Sequence, residues 1–138
     1  MKRFLSVILI SLILLTSCAK KQTVLDLTKI SQGFAYEQVT SILQSPEEYI
    51  GKRIRVQGYF DIVHSDYTNK DYYYCVVQDV TVCCQQGIEF IWDGVHLKED
   101  YPETKTDIVI EGKFGTYYED GQAYHYIAAE TLETVSGT

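Results

Sequence analysis

Basic residues are scarce in this chain of 138 residues, where 12 Lys and Arg stand against 19 Asp and Glu for a net charge of −7. No basic run is longer than Lys20-Lys21 or the Lys52-Arg53-Arg55 group. Nucleic-acid binding depends on neutralising phosphates with Lys and Arg, so the composition argues against a nucleic-acid partner. It argues equally against a polybasic contact with anionic lipid. Cys-x-x-Cys, the usual spacing of structural zinc sites, is absent. So is any Cys-His-Asn/Asp arrangement recognisable by spacing, which leaves cysteine acyl transfer without a basis. Apolar runs are short as well. The longest, residues 4–15 interrupted by Ser6 and Ser11, falls below the length that spans a bilayer comfortably.

That run follows Lys2 and Arg3, and a positive region before an apolar one is the pattern of an export signal. It leads into Leu15-Thr16-Ser17-Cys18, which resembles the lipobox of bacterial lipoproteins. The resemblance implies cleavage of residues 1–17 as a signal peptide and diacylglycerol as a covalent modification of Cys18, often with acylation of the new N-terminus. Each buried methylene contributes roughly 0.8 kcal/mol and two chains suffice for stable anchoring. The expected location is therefore a bacterial membrane, held by the lipid anchor on its extracytoplasmic side, at the cell surface or in the periplasm. Once Lys2 and Arg3 leave with the signal, 10 cations remain against 19 acids. The 121 residues left are enough for one domain with a hydrophobic core.

Residues 18–33 read as the lipidated cysteine and a polar tether, and residues 34–138 as the domain. Tyr36, Val39, Ile42 and Leu43 fall at helical spacing and predict a short amphipathic helix ending before Ser45. A second helical turn follows, with Ser45 as N-cap, Pro46 at the first helical position, Glu48 three residues after the cap and Gly51 as terminator. From Lys52 the period changes to two. Ile54, Val56, Gly58 and Phe60 share one face of a strand, and Ile108, Ile110, Gly112 and Phe114 repeat the device. A glycine inside a strand permits a sharp bend, as small barrels require. Residues 71–79 and 87–92 give two further strands, and Glu119-Asp120-Gly121 marks a hairpin turn into a last one.

A short N-terminal helical segment followed by five strands predicts a mostly β fold, a five-stranded OB-fold-like Greek-key barrel. The rival, a β-sandwich, usually wants seven or more strands. Residues 94–106, where many OB-folds place a helix, read as a loop. The lipobox together with YIGKRIRVQGYF, CCQQGIEFIWDG and YPETKTDIVIEGKF resembles a group of small bacterial OB-fold lipoproteins over nearly the whole mature chain. The cysteine pair is also loosely similar to the soluble OB-like end of a permease-associated family linked to zinc-responsive regulation. Neither resemblance implies a catalytic residue.

Cys83 and Cys84 stand side by side. Successive strand residues point to opposite faces, so the two share a partner only where the chain turns, and Gln85-Gln86-Gly87 is the expected turn. Three readings stay open. In the first, the pair binds zinc or a similar soft ion, with Cys75 or one of His64, His96 and His125 completing the shell. In the second, Cys75 forms a disulfide with one of the pair, a bond between Cys83 and Cys84 themselves being expected to distort the intervening peptide and to be easily reduced. On one straight strand Cys75 and Cys83 would lie about 26 Å apart, so this requires a turn near Gln78-Asp79. In the third, the thiols are small buried hydrophobes, Cys75 above all.

Tyrosine is the residue in excess, with 12 in the chain, clustered at residues 72–74, 117–118, 124 and 126. The second and third strands of OB-folds form their usual ligand face, where aromatic rings stack on sugars or bases. Tyr72, Tyr74, Glu89, Tyr124 and Tyr126 form the candidate ligand face, against the opposing reading that aromatic residues simply favour strands. Trp92, Phe90 and Ile88 are placed in the core, with Glu89 and Asp93 on the other side of the strand. The expected function is a non-enzymatic binding or assembly module for a protein or glycan partner. The alternative is a metal-binding or thiol-redox protein that uses Cys83 and Cys84.

Overall fold

A computed structural model of the chain describes residues 23–135; the signal sequence and Cys18 lie outside the described residues. Six strands and one α-helix follow in order: β1 (Val24–Asp26), α1 (Gln32–Gln44), β2 (Arg53–Ser65), β3 (Lys70–Gln78), β4 (Gln85–Trp92), β5 (Asp107–Glu119) and β6 (Gln122–Thr134). The sheet order is β1-β2-β3-β4-β6-β5, and an additional β2–β5 pairing closes it into a barrel. β4 and β6 pair in parallel while β2–β3, β3–β4, β5–β6 and β2–β5 are antiparallel. The fold is the expected OB-fold-like barrel.

Closure depends on one strand serving two neighbours. The first half of β2 pairs with β5, from Arg53 opposite Lys113 to Tyr59 opposite Asp107. Its second half pairs with β3, from Tyr59 opposite Val76 to Ser65 opposite Lys70. The changeover falls at Tyr59, next to Gly58, where a Cβ would overlap the Val76 carbonyl. Gly112 plays the same part in β5, beside a register shift at Glu111/Gly112 and pressed against the Ala128 carbonyl. A bulge of this kind bends and twists its strand.

The alternating residues read from the sequence fill the barrel. Ile54, Val56, Phe60, Ile108, Ile110, Phe114, Ile88 and Phe90 are all fully buried, joined by Ile127 and Ala129 of β6. Full burial of each large apolar side chain contributes roughly 1.5–3 kcal/mol. Trp92 is partly buried against this core, its indole stacked on the His96 ring at 3.6 Å between centroids. Ala35, Val39 and Ile42 of α1 are buried in the same cluster, so the helix plugs the barrel. α1 begins one turn earlier than the apolar spacing alone predicts, and the Gln32 side-chain amide donates to the Gln78 and Asp79 carbonyls at 3.3 and 3.2 Å.

Pro46 opens a 3-10 turn (Pro46–Glu48) rather than an α-helical one, and Ser45 makes no side-chain capping bond. Gly51, with φ +84, turns the chain into β2. Within the segment read as tether, β1 pairs in parallel with Arg53–Arg55 of β2, and Leu27 is buried in the core. Residues 94–106 form the expected loop, broken by a 3-10 turn (Lys98–Asp100). Tyr101 in that loop stacks on Tyr73 at 4.3 Å. No helix among the described residues is long and apolar enough to cross a membrane.

Candidate ligand groove and cysteine turn

Alternation along β3 sends Tyr73, Cys75 and Val77 toward the core and Tyr72 and Tyr74 outward. Glu89 of β4 stands opposite Tyr74 on one side and Tyr126 of β6 on the other. Tyr72, Tyr74 and Glu89 floor a groove of about 530 Å³ whose walls come from the β2–β3 loop (Tyr67, Thr68) and the β5–β6 hairpin (Tyr117, Glu119, Asp120, Gln122, Tyr124). The strand face and two loops correspond to the places where OB-folds hold oligonucleotides and oligosaccharides. Tyr126 does not line the groove; its ring meets Tyr117 edge-on at 5.6 Å and backs the wall.

Glu89 faces away from the barrel interior and yet is only 7% exposed. The Tyr117 hydroxyl donates to both its carboxylate oxygens, at 3.0 and 3.1 Å. Burial pushes the Glu89 carboxyl above the ordinary Glu value, although the tyrosine bonds oppose it, and the negative charge of Glu119 adds to the rise. Burial and the bond to Glu89 likewise raise the Tyr117 phenol. Tyr117 stacks on Tyr124, its cross-strand partner, at 5.5 Å. From β3, Lys70 donates to Glu119 at 2.6 Å and the Tyr72 hydroxyl donates to its other oxygen. Those two bonds, the lysine's first, hold the Glu119 carboxyl below its ordinary range. With the Tyr72 proton committed to Glu119, the Thr68 hydroxyl is the donor to Tyr72 at 2.9 Å.

Sequence reasoning named Tyr72, Tyr74, Glu89 and Tyr124 and missed Tyr117 and Glu119. Tyr117 lies 28 positions from Glu89, and only barrel closure brings them together. Glu119 read as part of a turn signal. Its place two residues after Tyr117, on the same strand face, was the available clue.

The three cysteines among the described residues divide into two environments. Cys75 is fully buried inside the barrel, and burial pushes its thiol up to about 12. Cys83 and Cys84 are exposed, in the turn between β3 and β4, and all three thiols are free. The turn is placed earlier than Gln85-Gln86-Gly87, which belongs to β4. Val80 and Val82 alternate like strand residues, but Val82 takes φ +59 and both valines are exposed. The Asp79 N–H donates to the Cys84 carbonyl at 3.0 Å, closing the turn at its base. Inside it, Thr81 Oγ1 donates to Asp79 Oδ2 at 2.7 Å, and the Cys84 N–H donates to Asp79 Oδ1 at 3.4 Å. Cys83 Sγ lies 3.6 Å from Asp79 Oδ2 and 3.4 Å from Cys84 Sγ.

The histidines stand apart from this turn. His64 Nδ1 is 2.7 Å from Asp71 Oδ1, His96 stacks on Trp92, and His125 Nδ1 is 2.9 Å from Thr116 Oγ1. Among the described residues, the group that could hold a metal ion consists of Asp79, Cys83 and Cys84. Asp79 was read from the sequence only as a residue that permits a turn.

No protein-family model and no curated protein matches the chain. Among solved structures it is similar to the N-terminal domain of the PriB protein from Thermoanaerobacter tencongensis, with 15% identity and a TM-score of 0.42 over 62% of this chain and 97% of that one. That similarity is too low to carry an argument, and the fold assignment here rests on strand order and closure. One expectation is corrected. The acidic composition argued against a nucleic-acid partner, but the barrel has the architecture whose ligand face takes oligonucleotides as well as oligosaccharides. Net charge sums the whole surface, whereas a strand of bases meets one groove, where each stacking contact is worth roughly 1–3 kcal/mol.

Proposed function

We propose that this chain is a non-enzymatic binding module whose ligand lies in the groove between Tyr74, Glu89, Tyr117 and Tyr124. The observation that carries the reading is the convergence of tyrosine faces and carboxylates at the β3–β4 face and its two flanking loops. Glu89, Glu119, Asp120 and Gln122 supply more hydrogen-bond acceptors than donors. An acceptor-rich aromatic groove suits a polyhydroxylated ring ligand, which offers O–H donors at its edges and C–H faces for stacking. An oligosaccharide or glycan chain is that class.

The lipobox supports the remainder of the proposal: residues 1–17 are removed, Cys18 carries diacylglycerol, and the barrel is held on the extracytoplasmic side of a membrane. Because β1 starts at Val24, the tether in this reading is confined to residues 19–23.

The test is binding of soluble oligosaccharides and of single-stranded oligonucleotides, each followed by calorimetry. Saturable oligosaccharide binding is expected, weakened about tenfold or more by Tyr74→Ala and Tyr124→Ala. A stacking contact worth roughly 1–3 kcal/mol corresponds to a loss of that order. Oligonucleotide binding lost through the same substitutions would keep the groove and replace the ligand class. Binding indifferent to both substitutions would refute the groove.

A further inference from the structure

The geometry points to a second site, independent of the groove: we infer that the turn between β3 and β4 binds one Zn2+ ion through Asp79 Oδ2, Cys83 Sγ and Cys84 Sγ. The distances suit that ion. With Zn–S near 2.3 Å and Zn–O near 2.0 Å, a tetrahedral shell separates two sulfurs by about 3.8 Å and a sulfur from an oxygen by about 3.5 Å. The turn holds Cys83 Sγ at 3.4 Å from Cys84 Sγ and at 3.6 Å from Asp79 Oδ2. An Asp79 carboxylate oxygen and both sulfurs lie within 4.8 Å of one another. Binding therefore requires only small side-chain adjustments.

Adjacent cysteines in a strand would diverge. Here Val82, a β-branched residue at φ +59, turns the backbone so that both thiols fall on the side of Asp79. Non-glycine residues adopt this conformation rarely, and β-branched ones hardly at all. The carboxylate is fixed before any ion arrives, by the Thr81 hydroxyl at one oxygen and the Cys84 N–H at the other. The Thr81 hydroxyl also reaches Cys83 Sγ, at 3.0 Å, and so touches two of the three ligands in the manner of an outer partner.

Ligand chemistry selects among metals. Two thiolates disfavour Mg2+ and Ca2+, which take oxygen shells, and the carboxylate oxygen disfavours Cu+, which prefers sulfur alone. The borderline Zn2+ accepts both donor types. Three protein ligands on an exposed turn leave the fourth position to water or to a group from another molecule, the arrangement of an accessible rather than a purely structural site. On binding, each thiol gives up its proton to solvent and becomes a thiolate ligand, so two protons are released per ion.

The experiment uses the full chain with Cys18→Ala, purified in detergent, reduced and passed into metal-free buffer. Zn2+ is titrated against a chromophoric chelator, and Co2+ is followed by thiolate-to-metal charge-transfer absorption. One ion per chain with two protons released is expected. Cys83→Ser, Cys84→Ser and Asp79→Asn should each weaken binding at least about tenfold, the lower end of the loss caused by removing even an outer partner. His64→Gln should leave it unchanged. A measurement on the unsubstituted turn guards against misfolded variants: Zn2+ should slow alkylation of two thiols, while Cys75 stays unreactive with or without the ion because it is buried. Absence of stoichiometric Zn2+, full binding by the Cys83→Ser/Cys84→Ser double variant, or alkylation unaffected by Zn2+ would each overturn the site. A Cys83–Cys84 disulfide that persists under reductant would overturn it too.

Discussion

At the scale of single residues, Glu89 is the most informative side chain. It faces outward from β4 yet is buried, because Tyr117 arrives from β5 to cover it and donate to both its oxygens. Its charged form is disfavoured, chiefly by burial. A carboxyl group whose folded pKa is raised favours the folded state while it is protonated. That contribution is fully present below the pKa of the unfolded chain and is lost as pH rises through the higher folded value. Glu89→Gln keeps an acceptor for the Tyr117 hydroxyl and removes the charge. Urea unfolding of both proteins near pH 4 and near pH 7.5 should therefore show the wild type losing stability relative to the variant as pH rises. A constant difference would mean that Glu89 is solvated like a surface carboxylate. From the sequence this side chain read as available to ligand or water, since its outward direction is visible in the alternation and the lid over it is not.

At the scale of elements, period-two alternation made β2 and β5 legible because their apolar faces fill the barrel, Val109 of β5 alone in the stretch that was read being buried on the opposite face. Their glycines were legible for the same reason: Gly58 and Gly112 interrupt the apolar face where a side chain belongs. Gly58→Ala tests that reading, since the added methyl would meet the Val76 carbonyl and the Cys75 sulfur. Backbone shifts forced by overpacking cost typically about 1–3 kcal/mol, so a lower urea midpoint with unchanged slope is expected. An unchanged midpoint would show that the bend does not depend on the missing Cβ. Three features were not legible. β1 is three residues long and carries no periodic signal, and its pairing with Arg53–Arg55 is set by tertiary structure. The first turn of α1 is tied to the Gln78 and Asp79 carbonyls, which sequence spacing does not register. The third is the β3–β4 turn, where the alternation of Val80 and Val82 imitates a strand and the left-handed backbone at Val82 overrides it. For that reason the sequence matched the two thiols with Cys75 or one of three histidines, and Asp79, the carboxylate that the turn brings beside them, was passed over.

At the scale of the whole molecule, β2 relates the start of the described chain to the groove. Val24 pairs with Arg53 at the start of β2, and Ser65 at its end lines the groove. The strand between them has 13 residues, a contour of about 40 Å at roughly 3.3 Å per residue. Residues 19–23, at most about 3.6 Å each, reach under about 20 Å when fully extended. A chain anchored at Cys18 would thus hold the start of β1 close to the lipid and keep the groove toward the far end of β2. In that orientation the membrane does not obstruct the ligand. Lipidated protein in vesicles and the Cys18→Ala chain in detergent should bind the same oligosaccharide with affinities equal within a factor of about two, and Cys18→Ala should take up no labelled lipid and retain residues 1–17. Normal lipid labelling of Cys18→Ala would dispose of the anchor. Lipid labelling confined to Cys18, together with strongly weaker binding on vesicles, would instead mean that the groove faces the bilayer and that its ligand is a component of the membrane surface.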